Sequence, residues 1–281
     1  MRQKSEYSFQ VLDPASEPAS APSIDPADSV PGDVPPPIVS ATQVRRRTLP
    51  VERLGAFIEV ILCSGFPTQI LVYSALTGLG LQARTADGGW APAFVVTMSL
   101  TDMVLVLGFV FLFLRAHHEP IREFVLGSRR PLREVALGLA LIPGAFMVVV
   151  FVLAVLLTLA PELHNVAVNP FERLLQTPRD AAVFAFVVTF AGGVREEVQR
   201  GFIIRRFDQY LGGALGGILI YSGIFGLGHL DQGYAAAIAT GVLGAMWGAL
   251  YWSRGSVIAP MVSHAGFNLA QLIKYVSLAV R

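Results

Sequence analysis

The sequence predicts an all-α, polytopic membrane helix bundle of about seven transmembrane helices. Three observations carry that expectation. Of the 281 residues only 15% are charged and 53% are hydrophobic, against about 25% charged in an ordinary soluble domain. Mean hydropathy is +0.58. The apolar runs are also about as long as is needed to cross a hydrocarbon layer of roughly 30 Å. Helices satisfy their backbone hydrogen bonds internally, so runs of this kind read as spanning helices. The formal net charge of +1 leaves no basic surplus for a phosphate backbone, so the lipid bilayer is an expected partner and nucleic acid is not. The single cysteine, Cys63, lies inside an apolar run. No internal disulfide or cysteine-rich metal site follows from it, and it reads as a small buried hydrophobe.

Residues 1–48 differ from the rest, with Pro14, Pro18, Pro22, Pro26, Pro31 and Pro35 to Pro37 among Ser, Ala and Asp. Such a composition cannot bury enough surface to offset ordering entropy, so a disordered cytoplasmic tail is expected. It lacks the apolar stretch and small-residue cleavage site of a signal peptide. The first membrane helix is therefore expected to act as an uncleaved anchor, and residues 49–281 to form the transmembrane domain. Seven apolar segments follow, at approximately residues 54–80, 93–114, 135–160, 181–204, 211–230, 234–252 and 257–278. Arg45, Arg46, Arg47 and Arg53 precede the first, whereas the next connection holds Arg84, and the one after it Arg115, Arg122, Arg129, Arg130 and Arg133. Arginine density places the tail and the 115–134 loop in the cytoplasm, residues 161–180 outside, and Arg205 and Arg206 back in the cytoplasm. The expected location is the cytoplasmic (inner) membrane, with the N-terminus cytoplasmic.

Ionisable groups within membrane segments cost about 2.5 to 3.5 kcal/mol each on insertion scales, so each needs a partner or a purpose. Glu59 lies one to two turns from the first arginines and reads as snorkelling or paired. Asp102, beside Ser99 and Thr101, reads as a hydrogen bond to a neighbouring helix. The glycine steps Gly212, Gly213, Gly216 and Gly217, with Gly244 and Gly248, read as close helix packing, since no strand precedes them and no Lys-Ser/Thr follows. His117, His118 and His164 fall in loops and are expected to face solvent.

The fourth segment contains Gly192-Gly193-Val194-Arg195-Glu196-Glu197-Val198-Gln199-Arg200-Gly201. Glu196 and Arg200 stand at i and i+4, hence on one face, while Glu197 is turned by about 100°. A self-neutralising ion cluster at a helix end would explain these residues by themselves. The fifth segment ends Phe225-Gly226-Leu227-Gly228-His229, and the seventh holds His264 and Asn268, again i and i+4. Either histidine singly reads as a packing residue. Together the three helices offer a carboxylate to take a proton from water, imidazoles to assist it, and an amide to donate to a developing oxyanion, which are the parts hydrolysis needs.

The double glutamate followed by arginine, the Phe225-x-x-x-His229 and the His264-x-x-x-Asn268 resemble the CAAX protease and bacteriocin-processing (CPBP or Abi) family of intramembrane endopeptidases, which includes the type II CAAX prenyl endopeptidase. The resemblance covers residues 180–275. It implies catalytic roles for Glu196, His229, His264 and Asn268, with Glu197, Arg200 and Phe225 in support. The family's first motif is EExxxR, whereas here one residue fewer separates the glutamates from Arg200. Aligning Arg200 puts Arg195 in the place of the catalytic glutamate. Aligning the glutamates leaves Glu196 there and moves Arg200 around the helix by about 100°. Glu196 is the preferred base because a guanidinium does not accept a proton. HExxH is absent, so a zinc site would have to combine Glu196, His229 and His264 from three helices; a metal-free, glutamate-activated water is preferred.

The expected function is cleavage of a membrane-associated peptide, of prenylated CAAX type or another, at a polar site opening toward the cytoplasm. The alternatives are a non-catalytic scaffold or immunity-type protein of the same fold and, third, a secondary transporter. For His229 and His264 to meet, the fifth helix has to start below the membrane face or break near Asp231-Gln232-Gly233, since a rise of 1.5 Å per residue otherwise leaves them at different depths.

Overall fold

The computed structural model describes residues 48–166, 170, 174, 175 and 177–279, with side chains to 273 in the last helix. The tail expected over residues 1–48 therefore lies outside the described residues apart from Thr48. The described residues are helical, with one isolated bridge between Arg84 and Trp90. The helices are α1 (Pro50–Cys63), α2 (Phe66–Gly78), α3 (Pro92–Ala116), α4 (Ile121–Leu126), α5 (Pro131–Leu159), α6 (Pro178–Val187), α7 (Glu196–Tyr210), α8 (Ala214–Leu227), α9 (Tyr234–Arg254) and α10 (Ile258–Ala279). Four of them, α1, α3, α5 and α6, begin at a proline, whose fixed φ suits the first helical position and whose missing N–H would be unpaired there anyway.

Among the described residues, three stretches are long and apolar enough to cross a membrane: α3, Ile121–Leu159 and α9. A fourth is added if α1 and α2, bent by 41° at their junction, count as one span. Leu71, Met147, Phe151 and Leu219 are among the large apolar side chains left on the outside, as lipid contact requires. The expected segment 54–80 is thus broken. Gly65 has φ +86°, and a Cβ there would stand 2.8 Å from an Arg195 guanidinium nitrogen, so both conformation and space favour glycine. The expected segment 181–204 is also subdivided, with a π-helical stretch over Val188–Arg195 between α6 and α7.

The expected fifth segment, 211–230, is shorter than anticipated and ends at Leu227. Helix α8 has 14 residues, roughly 21 Å at 1.5 Å per residue, and a tight turn over Leu230–Gln232 leads into α9. Of the packing glycines, Gly217, Gly244 and Gly248 do lie against Phe207, Phe225 and Ile204. Gly212 and Gly213 differ, having φ +112° and +121° and no close neighbour to the first; they serve the turn between α7 and α8.

Two ends of the bundle are defined by contacts. At one, Glu59 of α1 meets His117 and Arg206, Glu119 meets Arg205 and Arg206, and the Val125 carbonyl accepts from Ser256 Oγ at 2.9 Å. At the other, Arg84 lies 3.7 Å over the Trp90 ring, Tyr234 N donates to Asn165 Oδ1 at 2.9 Å, and Leu174, Phe184 and Leu272 pack together. Glu59 is therefore paired, with Arg206 Nε at 2.5 Å and His117 at 2.6 Å, and His117 is exposed, as expected, while making that contact. Cys63 is fully buried.

Candidate active site

The π-helical stretch is where the fourth segment approaches α10. A Cβ on Gly193 would stand 2.4 Å from the Ala265 Cβ and one on Gly192 2.8 Å from Asn268 Nδ2, so only hydrogens fit between the two backbones. The wide turn, with its i→i+5 bonds, hands over to α7 at Glu196. Glu196 and Glu197 consequently leave the helix start in different directions, as a 100° rotation requires.

Their partners differ. Glu197 is buried, accepts from Arg200 three residues on, and takes a hydrogen bond from His264 Nδ1 at 2.7 Å. Glu196 lines a cavity of about 560 Å³ together with Arg195, His229, His264 and Asn268. Its nearest ionic neighbours are at longer range, His264 Nε2 at 3.7 Å and Arg195 Nη1 at 3.9 Å. Arg200 pairs with Glu197, three residues before it, although Glu196 at i−4 shares its face. Glu197 does not pair with Arg195, because Arg195 is bound by Asp102 of α3, which also accepts from Thr68 Oγ. The missing residue in the motif is absorbed without loss of the pair, since i+3 and i+4 are both neighbours on a helix face.

Arg200 is buried with its guanidinium carbon 4.5 Å from the Phe225 ring centroid, a cation–π contact that helps compensate its desolvation. Phe225 does two further things through its i, i+4 relation to His229. Its carbonyl accepts from His229 Nδ1 at 2.8 Å, and the rings meet edge-on at 4.8 Å. His264 is stacked on Trp247 with centroids 3.9 Å apart, while Trp247 Nε1 donates to Ser263 Oγ at 3.2 Å. These hydrogen bonds assign the tautomers. In both histidines Nδ1 carries the proton and is engaged, so Nε2 is the nitrogen with a free lone pair. Asn268 Nδ2 donates to the Val188 carbonyl at 3.4 Å, a long bond that leaves the amide room to turn.

The structure thus brings Glu196, His229, His264 and Asn268 to one cavity and sets Glu197, Arg200 and Phe225 behind them. Among the described residues, no three His, Cys, Asp or Glu side chains are grouped as metal ligands. The Glu196, His229 and His264 set does not fit a zinc ion as placed. The cavity wall includes Trp90, Leu175, Asp231 and Gln232, which belong to the Trp90 end, and no residue of the 116–134 connection or the α9–α10 turn. Two contributions were not read from the sequence. Asp102 as the anchor of Arg195 had a signal, being the lone aspartate inside an apolar run. Trp247 beneath His264 had none, since an aromatic among small residues reads equally as core.

With that geometry in place, the comparisons with known proteins bear on it. Residues 178–270 match the family model described as type II CAAX prenyl endopeptidase Rce1-like. Over that stretch the chain is similar to the CAAX protease family. The match takes in all seven motif residues, while Thr68 and Asp102, which hold Arg195, come from outside it. No curated protein and no solved structure matches the chain. The family is one of proteases, and the apolar helices make the protein an integral membrane protein.

Proposed function

We propose that the protein is an intramembrane endopeptidase in which Glu196 activates water against a peptide bond of a membrane-associated substrate. The observation that supports this reading is the unequal use of the two glutamates. Glu197 is committed to Arg200 and His264, whereas Glu196 faces the cavity with only long-range partners. A carboxylate so placed is available as a general base.

Glu196 removes a proton from water as the water oxygen attacks the scissile carbonyl carbon, and the carbonyl electron pair moves onto its oxygen. Asn268 Nδ2 donates to that oxyanion after turning from Val188. The proton passes through Nε2 of His229 or His264 to the leaving nitrogen as the C–N bond breaks, which restores both the carboxylate and the neutral imidazole. While protonated, His264 also donates to the oxyanion, with Glu197 holding its Nδ1–H as an orienting carboxylate does in a catalytic triad. On this reading seven segments enter the bilayer: α1 with α2, α3, α5, α6 with α7, α8, α9 and α10. The N-terminus lies at the arginine-rich, cytoplasmic face of an inner membrane.

The test is cleavage of a peptide delivered in lipid, by variants matched for folded concentration. Glu196→Gln is expected to keep the wild-type melting temperature and lose about 10²- to 10⁴-fold in rate, the usual cost of removing a general base. Glu197→Gln is expected to lower the melting temperature, because it leaves Arg200 buried without its carboxylate. Unchanged cleavage by Glu196→Gln overturns the assignment, and absence of cleavage by the wild type returns the chain to the scaffold reading.

A further inference from the structure

Of the two ends that the contacts define, the cavity lining takes residues from the Trp90 end, and it also takes Ser64, Phe66 and Gln69 at the break between α1 and α2. Its rim carries Asp231, which is exposed, and its upper wall Trp90, Phe94, Phe184 and Leu272. Its floor lies near Asp102 and Gln199, the latter donating to the Cys63 carbonyl at 2.6 Å where α1 breaks from α2. From Pro92 to Asp102 α3 descends ten residues, roughly 15 Å at 1.5 Å per residue, or about half the hydrocarbon thickness. Beneath that floor the bundle is closed by Glu59, Glu119, Arg205 and Arg206 in mutual ion pairs.

The two ends differ as sharply in arginine. Arg53, the five arginines between Arg115 and Arg133, Arg205, Arg206 and Arg254 all belong to the closed end. Among the described residues, the cavity end has Arg84 and Arg179. Short connections rich in arginine are retained in the cytoplasm.

From these two observations we infer that the site is served from the non-cytoplasmic side of the membrane, and that its substrate is an extended segment of an exported, membrane-attached polypeptide. The inference rests on the endopeptidase reading for the chemistry, and on lining and charge for the direction. The apolar wall from Trp90 to Leu272 suits the lipid-embedded flank of such a chain. At about 3.3 Å per extended residue, roughly five residues must enter beyond the rim before a peptide bond reaches Glu196. A soluble, folded chain presents no such segment, and a tail tethered at the cytoplasmic face meets the closed end.

Direction of access is measured without reference to cleavage. The wild type, whose single Cys63 is fully buried, serves as the blank for a membrane-impermeant, sulfonated thiol reagent added to intact cells. Ser99→Cys places a thiol on the cavity wall, Asp231→Cys one at the rim, and Ser128→Cys one on the exposed 127–130 connection of the arginine-rich end. The expected pattern is reaction of Ser99→Cys and Asp231→Cys in intact cells at least tenfold faster than Ser128→Cys, which reacts once the cells are permeabilised. Reaction of Ser128→Cys in intact cells with Asp231→Cys silent puts the site on the cytoplasmic side and overturns the inference. Labelling of Asp231→Cys with Ser99→Cys silent on both sides closes the cavity to water and overturns it equally. If the expected labelling is found but the wild type cleaves nothing, the endopeptidase reading falls while the direction of access stands.

Discussion

The two ends of the bundle bury charge in opposite ways. At the arginine-rich end Glu59 and Glu119 are each bridged by two partners, Glu59 by His117 and Arg206, and Glu119 by Arg205 and Arg206. At the cavity end Asp102 and Glu197 each hold close ionic partners, but Glu196 has none nearer than 3.7 Å. Both ends bury charge. Complete pairing turns it into a plug that joins α1, α7 and the connection after α3, whereas incomplete pairing leaves one carboxylate free to exchange a proton. The difference between structural and reactive charge here is thus one of partner count, more than of burial.

The most direct way to break that comparison is to unpair the plug. Arg206 touches both acids and is wholly buried, so Arg206→Ala leaves two buried carboxylates short of a cation. Removing one partner of a buried pair costs about 3–5 kcal/mol. A large drop in melting temperature in detergent is expected, with cleavage per folded molecule little changed because the cavity is lined by other residues. A drop no greater than that of Arg130→Ala, an exposed arginine at the same end, would show that the plug contributes no stability.

The plug also shows what the sequence could and could not disclose. Glu59 was recognisable as an acid needing a partner, because its position in an apolar run is costly whatever lies nearby. Its partner, Arg206, is 147 residues away, and helix periodicity carries no information at that separation. The site motifs were legible for a related reason. Phe225 with His229 and His264 with Asn268 are each local i, i+4 pairs, so the helix itself places them on one face. The choice between Glu196 and Glu197 was local as well, yet its explanation was not. It depended on Arg195 being drawn away by Asp102, and on a π-helical stretch that glycines permit but apolar periodicity does not announce. The broken α1–α2 segment hid behind continuous hydrophobicity, with Gly65 as its one mark.

A second prediction sharpens the comparison at the cavity end. Asp102 binds the Arg195 guanidinium whose other nitrogen lies 3.9 Å from Glu196. Without that anchor Arg195 is free to close on Glu196, giving the base the kind of partner the plug residues have. Asp102→Asn is expected to slow cleavage about tenfold, equivalent to 1.4 kcal/mol in the barrier, and Asp102→Glu to lose less. The distinguishing measurement is the double variant Asp102→Asn/Arg195→Gln, expected to cleave faster than Asp102→Asn alone. Losses that simply add would mean that Asp102 acts on the fold and not on the availability of Glu196.

The smallest expected effect lies in the pH response of the plug. Burial pushes the Glu119 carboxyl up, but the hydrogen bond and charge of Arg206, joined by those of Arg205, outweigh it and hold the group below the usual carboxylate range. A group whose pKa is lower folded than unfolded adds stability that is fully present above the unfolded value, about 4.3 for a glutamate, and is lost as pH falls through the folded value. The wild type should therefore melt higher than Glu119→Gln by a steady margin from neutral pH down to the ordinary carboxylate range, and the margin should shrink below it. Glu119 is only part-buried, so solvent screening keeps that margin modest. Melting curves of the two proteins across this range, in one detergent, decide the matter. A margin that persists undiminished at the acid end would mean that Glu119 stabilises the plug through packing and not through its charge.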